Sequence, residues 1–129
     1  MAEALRVVMA AGECVPFAKV GGLADVLGAL PLALEKLGVQ VAVVIPRHSA
    51  IDLRKFGFSR LPAPDRSVPI GFERVPYDVH RATMPGSSVD VFLIGNDRFF
   101  GREGIYVDAV TGKDYPDEAD RWKPKGLQP

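Results

Sequence analysis

Leu5-Arg6-Val7-Val8-Met9-Ala10-Ala11-Gly12-Glu13-Cys14-Val15-Pro16-Phe17-Ala18-Lys19-Val20-Gly21-Gly22-Leu23-Ala24-Asp25-Val26-Leu27 is the stretch on which the fold turns. Its first seven residues form a short apolar run rich in valine, the composition of a strand buried on both faces of a parallel sheet. Beyond the glycine pair, Leu23, Val26, Leu27, Leu30, Leu34 and Leu37 recur at spacings of three and four, which places them on one face of a helix. Gly38 follows and can take the left-handed conformation that ends helices. Val39 to Ile45 is then a second buried-strand candidate. The pattern is strand, loop, helix, strand, the unit from which α/β folds with a mostly parallel sheet are built.

In open α/β sheets ligands collect beyond the carboxyl ends of the strands, and the loop carrying Lys19, Gly21 and Gly22 falls at that edge. The first turn of a helix offers unpaired N–H groups and the positive end of the macrodipole, so two glycines there would let a phosphate approach the backbone while Lys19 adds a charge. Two readings are open on these grounds: a pocket for a phosphate-bearing ligand, or glycines that serve only the turn beside a solvated lysine. The common phosphate loops do not fit. The chain lacks G-x-x-x-x-G-K-[ST] and G-x-G-x-x-G, and the second strand ends in Pro46-Arg47-His48 where a dinucleotide site would offer the ribose an acidic residue.

Glu13-x-x-Pro16-x-x-Lys19-x-Gly21-Gly22-Leu23-Ala24-Asp25-Val26, then Gly28-Ala29-Leu30-Pro31 and Pro46, resembles the amino terminus of the bacterial glycogen synthase and plant starch synthase family. A second block, Gly104-Ile105-Tyr106 with Asp114-Tyr115-Pro116-Asp117, is similar to the same family further on. The resemblance implies an ADP-glucose-dependent, retaining glucosyltransferase that extends the non-reducing end of an α-1,4-glucan. It also implies two Rossmann-like domains of the GT-B type facing each other across a cleft. By that resemblance Lys19 contacts the donor's phosphates, Gly21 and Gly22 belong to the same loop, Tyr115 lies near the sugar cleft, and Glu13 and Asp25 match acidic positions at it. Gly12 stands where a serine is common.

The resemblance further implies that the chain stops short of the family's reaction centre. Residues 1–122 are therefore expected to be an incomplete amino-terminal Rossmann-like domain, and 123–129 an atypical tail in which Pro124 and Gly126 break the helix that Asp117 to Trp122 could begin. Such a truncated part is expected to transfer little glucose by itself. A non-catalytic nucleotide-sugar-binding or glucan-binding domain is the alternative.

With 129 residues the chain suffices for one domain, and its 16 basic and 16 acidic side chains balance, which leaves no electrostatic footprint for nucleic acid or an anionic membrane. No run approaches the roughly 18 apolar residues that span a bilayer, and a cytoplasmic protein without cofactor or metal is expected. Cys14, the one cysteine, fits a reducing compartment and reads as a small buried packing residue. His48 and His80 have no ligand-like spacing and read as core or surface groups.

Gly28 and Pro31 inside the helix predict a kink or break near Leu27 to Pro31. Asp25 in the first turn is accounted for equally well by the helix dipole alone. Residues 49–69 have a weak pattern, with a helical turn over Ile51 to Phe56 and a Pro-rich surface link over Leu61 to Asp65. Phe72 to Thr83 and Val89 to Ile94 read as paired strands joined by the turn Met84 to Ser88, with Pro76 near an edge and Gly95-Asn96-Asp97 as a polar turn.

Overall fold

The computed structural model describes residues 5–63, 65–101 and 105. Its elements in chain order are β1 (Arg6–Ala10), α1 (Gly22–Lys36), β2 (Gln40–Pro46), β3 (Ser59–Arg60), β4 (Arg66–Ile70), β5 (Glu73–Thr83), β6 (Asp90–Gly95) and α2 (Asp97–Phe100). The strands form one sheet in the order β1-β2-β6-β5-β3, with β4 paired to β5 off that path. β1, β2 and β6 are parallel, with Val8 beside Ala42 and Val43 beside Val91. β5 returns antiparallel to β6, Asp78 opposite Gly95 and Thr83 opposite Asp90. This is the Rossmann-like α/β arrangement, with a parallel half around α1 and an antiparallel half beyond β6.

The centre of the core is the alternating face of β2 and β6. Val43, Val91 and Leu93 are inaccessible and Ile45 nearly so, because a strand flanked on both sides by others keeps no edge to solvent. β1 differs from expectation. It stands at the end of the strand order, Val7 and Met9 are half-buried, and Arg6, Val8 and Ala10 are exposed. Among the described residues only β2 pairs with it.

In α1 the buried positions are Ala24, Leu27 and Pro31, with Leu34 packed against the core, a row at steps of three and four. Leu23, Val26, Leu30 and Leu37 lie outside that row and are exposed. The expected break does not occur: α1 is continuous through Pro31. Gly28 has a packing reason instead, since a Cβ there would sit 3.0 Å from both Val15 Cβ and Val15 O. Gly38 ends the helix with φ of +83°, as the sequence predicts.

The paired strands β5 and β6 match their expected positions, and Pro76 lies in the part of β5 that pairs with β4 but not with β6. β3 and all but the last residue of β4 fall within the segment 49–69, whose pattern is weak. Ile51 to Phe56 includes the expected turn, with Phe56 N–H donating to Asp52 O at 3.4 Å, and Asn96-Asp97 opens the single turn of α2. Tyr106, Tyr115, the expected helix at 117–122 and the tail at 123–129 lie outside the described residues.

Candidate functional site

The loop after β1 is held by its own backbone and by one buried acid. Cys14 and Ala18 exchange backbone hydrogen bonds at 2.9 Å in both directions, and Val15 N–H donates to Ala24 O at 3.0 Å. Phe17 plugs the loop into the core, its ring edge-on to Phe56 and Phe58 with centroids 5.0 and 5.2 Å away. His48, buried at the end of β2, donates from Nε2 to Gly12 O at 2.7 Å. Cys14 is fully buried, and burial pushes its thiol pKa up to about 11, which keeps it protonated and inert.

Glu13 is 2% exposed. Its carboxylate accepts from Val20 N–H at 2.6 Å, Gly21 N–H at 3.2 Å and Ala24 N–H at 3.2 Å. Gly21 is the N-cap of α1 and supplies no side-chain cap, so Glu13 caps the helix from eight residues upstream. Glu13 is turned inward, and it already occupies part of the anion site that a helix start offers. The N–H groups of Gly22 and Leu23 remain, with no intrahelical acceptor because of their place in the first turn.

Gly22 is exposed, and a Cβ on it would meet nothing within 4 Å. A Cβ on Gly21 would meet only Glu13 Oε1, at 3.9 Å, and neither glycine has positive φ. Turn geometry therefore does not require glycine at either position. Lys19 crosses the mouth of the loop to Asp25, with Nζ 2.8 and 2.9 Å from the two carboxylate oxygens. Both side chains are more than half exposed, so this pair is a weak, exchangeable one. An exposed lysine beside two open N–H groups can receive an anion.

Lys19, Gly21, Gly22, Glu13 and Asp25 are thus brought together within one loop and one helical turn, while Tyr115 lies outside the described residues. Sequence reading missed the part of His48 in fixing Gly12. It also missed the pairing of Arg47 with Asp78, 31 residues away, at the same edge of the sheet. The position of Pro46-Arg47-His48 at a strand's carboxyl end was the available signal.

The family model of the starch synthase catalytic domain matches residues 6–123. The chain belongs to this family. Glycogen synthase 1 of Geobacter sulfurreducens is 44% identical over 119 residues, covering 92% of this chain and 23% of that protein. The glycogen synthase of Thermotoga maritima is 38% identical over 112 residues, again spanning 23% of its length. The solved catalytic domain of starch synthase IV from Arabidopsis thaliana, bound to ADP and acarbose, superposes with a TM-score of 0.72 at 26% identity and covers 84% of this chain. The chain spans about a quarter of the length of these relatives. The starch synthase match includes the whole Lys19 loop and the segment that holds Tyr115. Among the described residues no group of side chains is placed to hold a metal ion, and no helix is long and apolar enough to cross a membrane.

Proposed function

We propose that the chain works as the donor-holding part of a glycogen or starch synthase, which transfers glucose from ADP-glucose to the non-reducing end of an α-1,4-glucan with retention of configuration. One observation carries this reading: Gly22 opens a helix where neither φ nor packing calls for glycine, beside two N–H groups that the Glu13 cap leaves unused. No local role at this first helical position accounts for the glycine, so close approach by a ligand is the reason we assign to it. Family membership, and the ADP seen on the Arabidopsis relative, support a nucleoside diphosphate as that ligand.

Lys19 leaves Asp25 and pairs with the diphosphate, which grows more negative as the glucosyl bond breaks; stabilising that charge in the transition state lowers the barrier. Gly22 and Leu23 donate to the same phosphates. Glu13 holds the loop in shape and Asp25 parks the lysine between turnovers, while family membership alone assigns Tyr115 to the sugar cleft. We place the reaction in the cytoplasm, in keeping with the single buried thiol.

Calorimetric titration of the 129-residue chain with ADP tests the loop directly. Lys19→Ala should weaken binding about tenfold or more, the equivalent of the ~1.5–3 kcal/mol of a charged hydrogen bond. Gly22→Ala should weaken it too while leaving the fold at least as stable. Affinity unchanged by both substitutions removes the assignment.

A further inference from the structure

The β4–β5 ribbon lines a charged cavity, floored by the Arg47–Asp78 pair, and also an apolar cleft. The donor loop makes no use of that cleft or of the tip of the ribbon.

Gly71 and Phe72 join the two strands, with Ile70 paired to Glu73 across them. Gly71 has φ of +61° while Phe72 keeps a negative φ, the pattern of a two-residue hairpin turn that needs glycine first. So tight a turn fixes the direction in which Phe72 leaves the ribbon. Its side chain is fully exposed, more so than any other large apolar residue described. An aromatic ring held out in water in this way is the usual anchor of a protein interface, where it fills a pocket on the other side.

The same ribbon supplies such a pocket. Val68 and Ile70 of β4, Val75 of β5, Ile94 of β6 and Phe99 of α2 line a cleft of about 350 Å³. Asn96, the one amide in the lining, is already used: its Nδ2 donates to Pro76 O at 2.8 Å, and its Oδ1 accepts from Phe99 N–H at 3.2 Å. The cleft therefore suits an apolar occupant better than a polar ligand.

Held by its short turn, Phe72 stands outside the cleft of its own chain. A depression that shares Val75 and Asn96 with the cleft carries two acids, Glu73 and Asp97, and two bases, Arg74 and Arg98. Glu73 and Arg98 pair there at 2.7 Å with both side chains more than half exposed, so the pair exchanges readily. A two-fold contact requires each copy to present both the group that inserts and the site that receives it. Ring, cleft and opposite charges on one ribbon meet that requirement.

We infer that this face is a homodimer interface, in which the Phe72 ring of each copy fills the apolar cleft of the other and Glu73 of each copy exchanges the Arg98 of its own chain for that of the second copy. The contact is small, so association is weak and depends on concentration. It does not depend on the function proposed above.

Sedimentation equilibrium of the full 129-residue chain, from micromolar to millimolar concentration, tests this. The wild-type mass should rise toward that of a dimer. Phe72→Ser should weaken association about tenfold or more, and Phe72→Leu should restore most of it. Because Phe72 is exposed, Phe72→Ser should keep the circular dichroism and melting temperature of dilute wild type. In a mixture of isotope-labelled and unlabelled chains, nuclear Overhauser contacts from the Phe72 ring of one copy to the Val68 or Ile70 methyls of the other should locate the ring. Wild type that stays monomeric throughout, association that Phe72→Ser leaves unchanged, or a Phe72-dependent dimer without those contacts would each overturn the inference.

Discussion

Glu13 and Asp78 are both carboxylates at the carboxyl edge of one sheet, and they are satisfied in opposite ways. Glu13, in the parallel half, is 2% exposed and is held by backbone N–H groups from residues that follow it closely in sequence. Asp78, in the antiparallel half, is held by a guanidinium 31 residues away and keeps a partly open face. A carboxylate on backbone donors is locked once the loop forms, whereas one on a side chain depends on two distant strands meeting. The first arrangement makes a rigid support for an exposed lysine; the second makes the floor of a cavity.

Glu13→Ala should break the contrast most severely. It strands buried N–H groups and uncaps α1, so a loss of about 2–4 kcal/mol is expected in urea unfolding; a loss below 1 kcal/mol would mean that water replaces the carboxylate. Gly95→Ala comes next, because the new Cβ forces the Arg47–Asp78 pair to move. A cost of about 1–3 kcal/mol is expected, partly recovered when Asp78→Ala is added, and a thermal melt of the three variants measures the coupling.

Lys19→Ala should change stability by less than about 1 kcal/mol, since its pair with Asp25 is more than half exposed. A larger loss would turn Lys19 from a ligand-binding group into a structural one.

The smallest effect is on pH dependence in the antiparallel half. Burial lowers the His80 pKa from 6.5; Asp78 opposes this, and Arg47 and Arg60 reinforce it. The unfolded chain then binds the proton more readily, so this contribution is complete above about pH 6.5 and declines as pH falls through that value. Urea midpoints of wild type and His80→Phe, compared at about pH 7.5 and 5.5, should converge in slope once the histidine is gone; an unaltered pH response would assign it to other groups.

The β1-loop-α1-β2 unit was legible because each of its signals is local. Valine runs, leucines at three and four, and Gly38 act over a few residues, and the Lys19-Gly21-Gly22 spacing places the lysine beside the helix start without any distant contact. β3 and β4 were not legible, because Ser59-Arg60 and Arg66–Ile70 become strands only by pairing with β5. Pro69 and the short length hide them from periodicity.

Sequence by itself determined the strand-loop-helix unit, the family resemblance and the lysine with its glycines, since these rest on composition and short spacing. Tertiary structure alone decided that, among the described residues, β1 stands at the end of the strand order with Val8 exposed and Val7 and Met9 half-buried. It alone turned Glu13 inward as a cap, and it brought Arg47, Asp78 and Gly95 into one place. Burial and pairing depend on which strands become neighbours, and that is a property of the folded chain that no local pattern encodes.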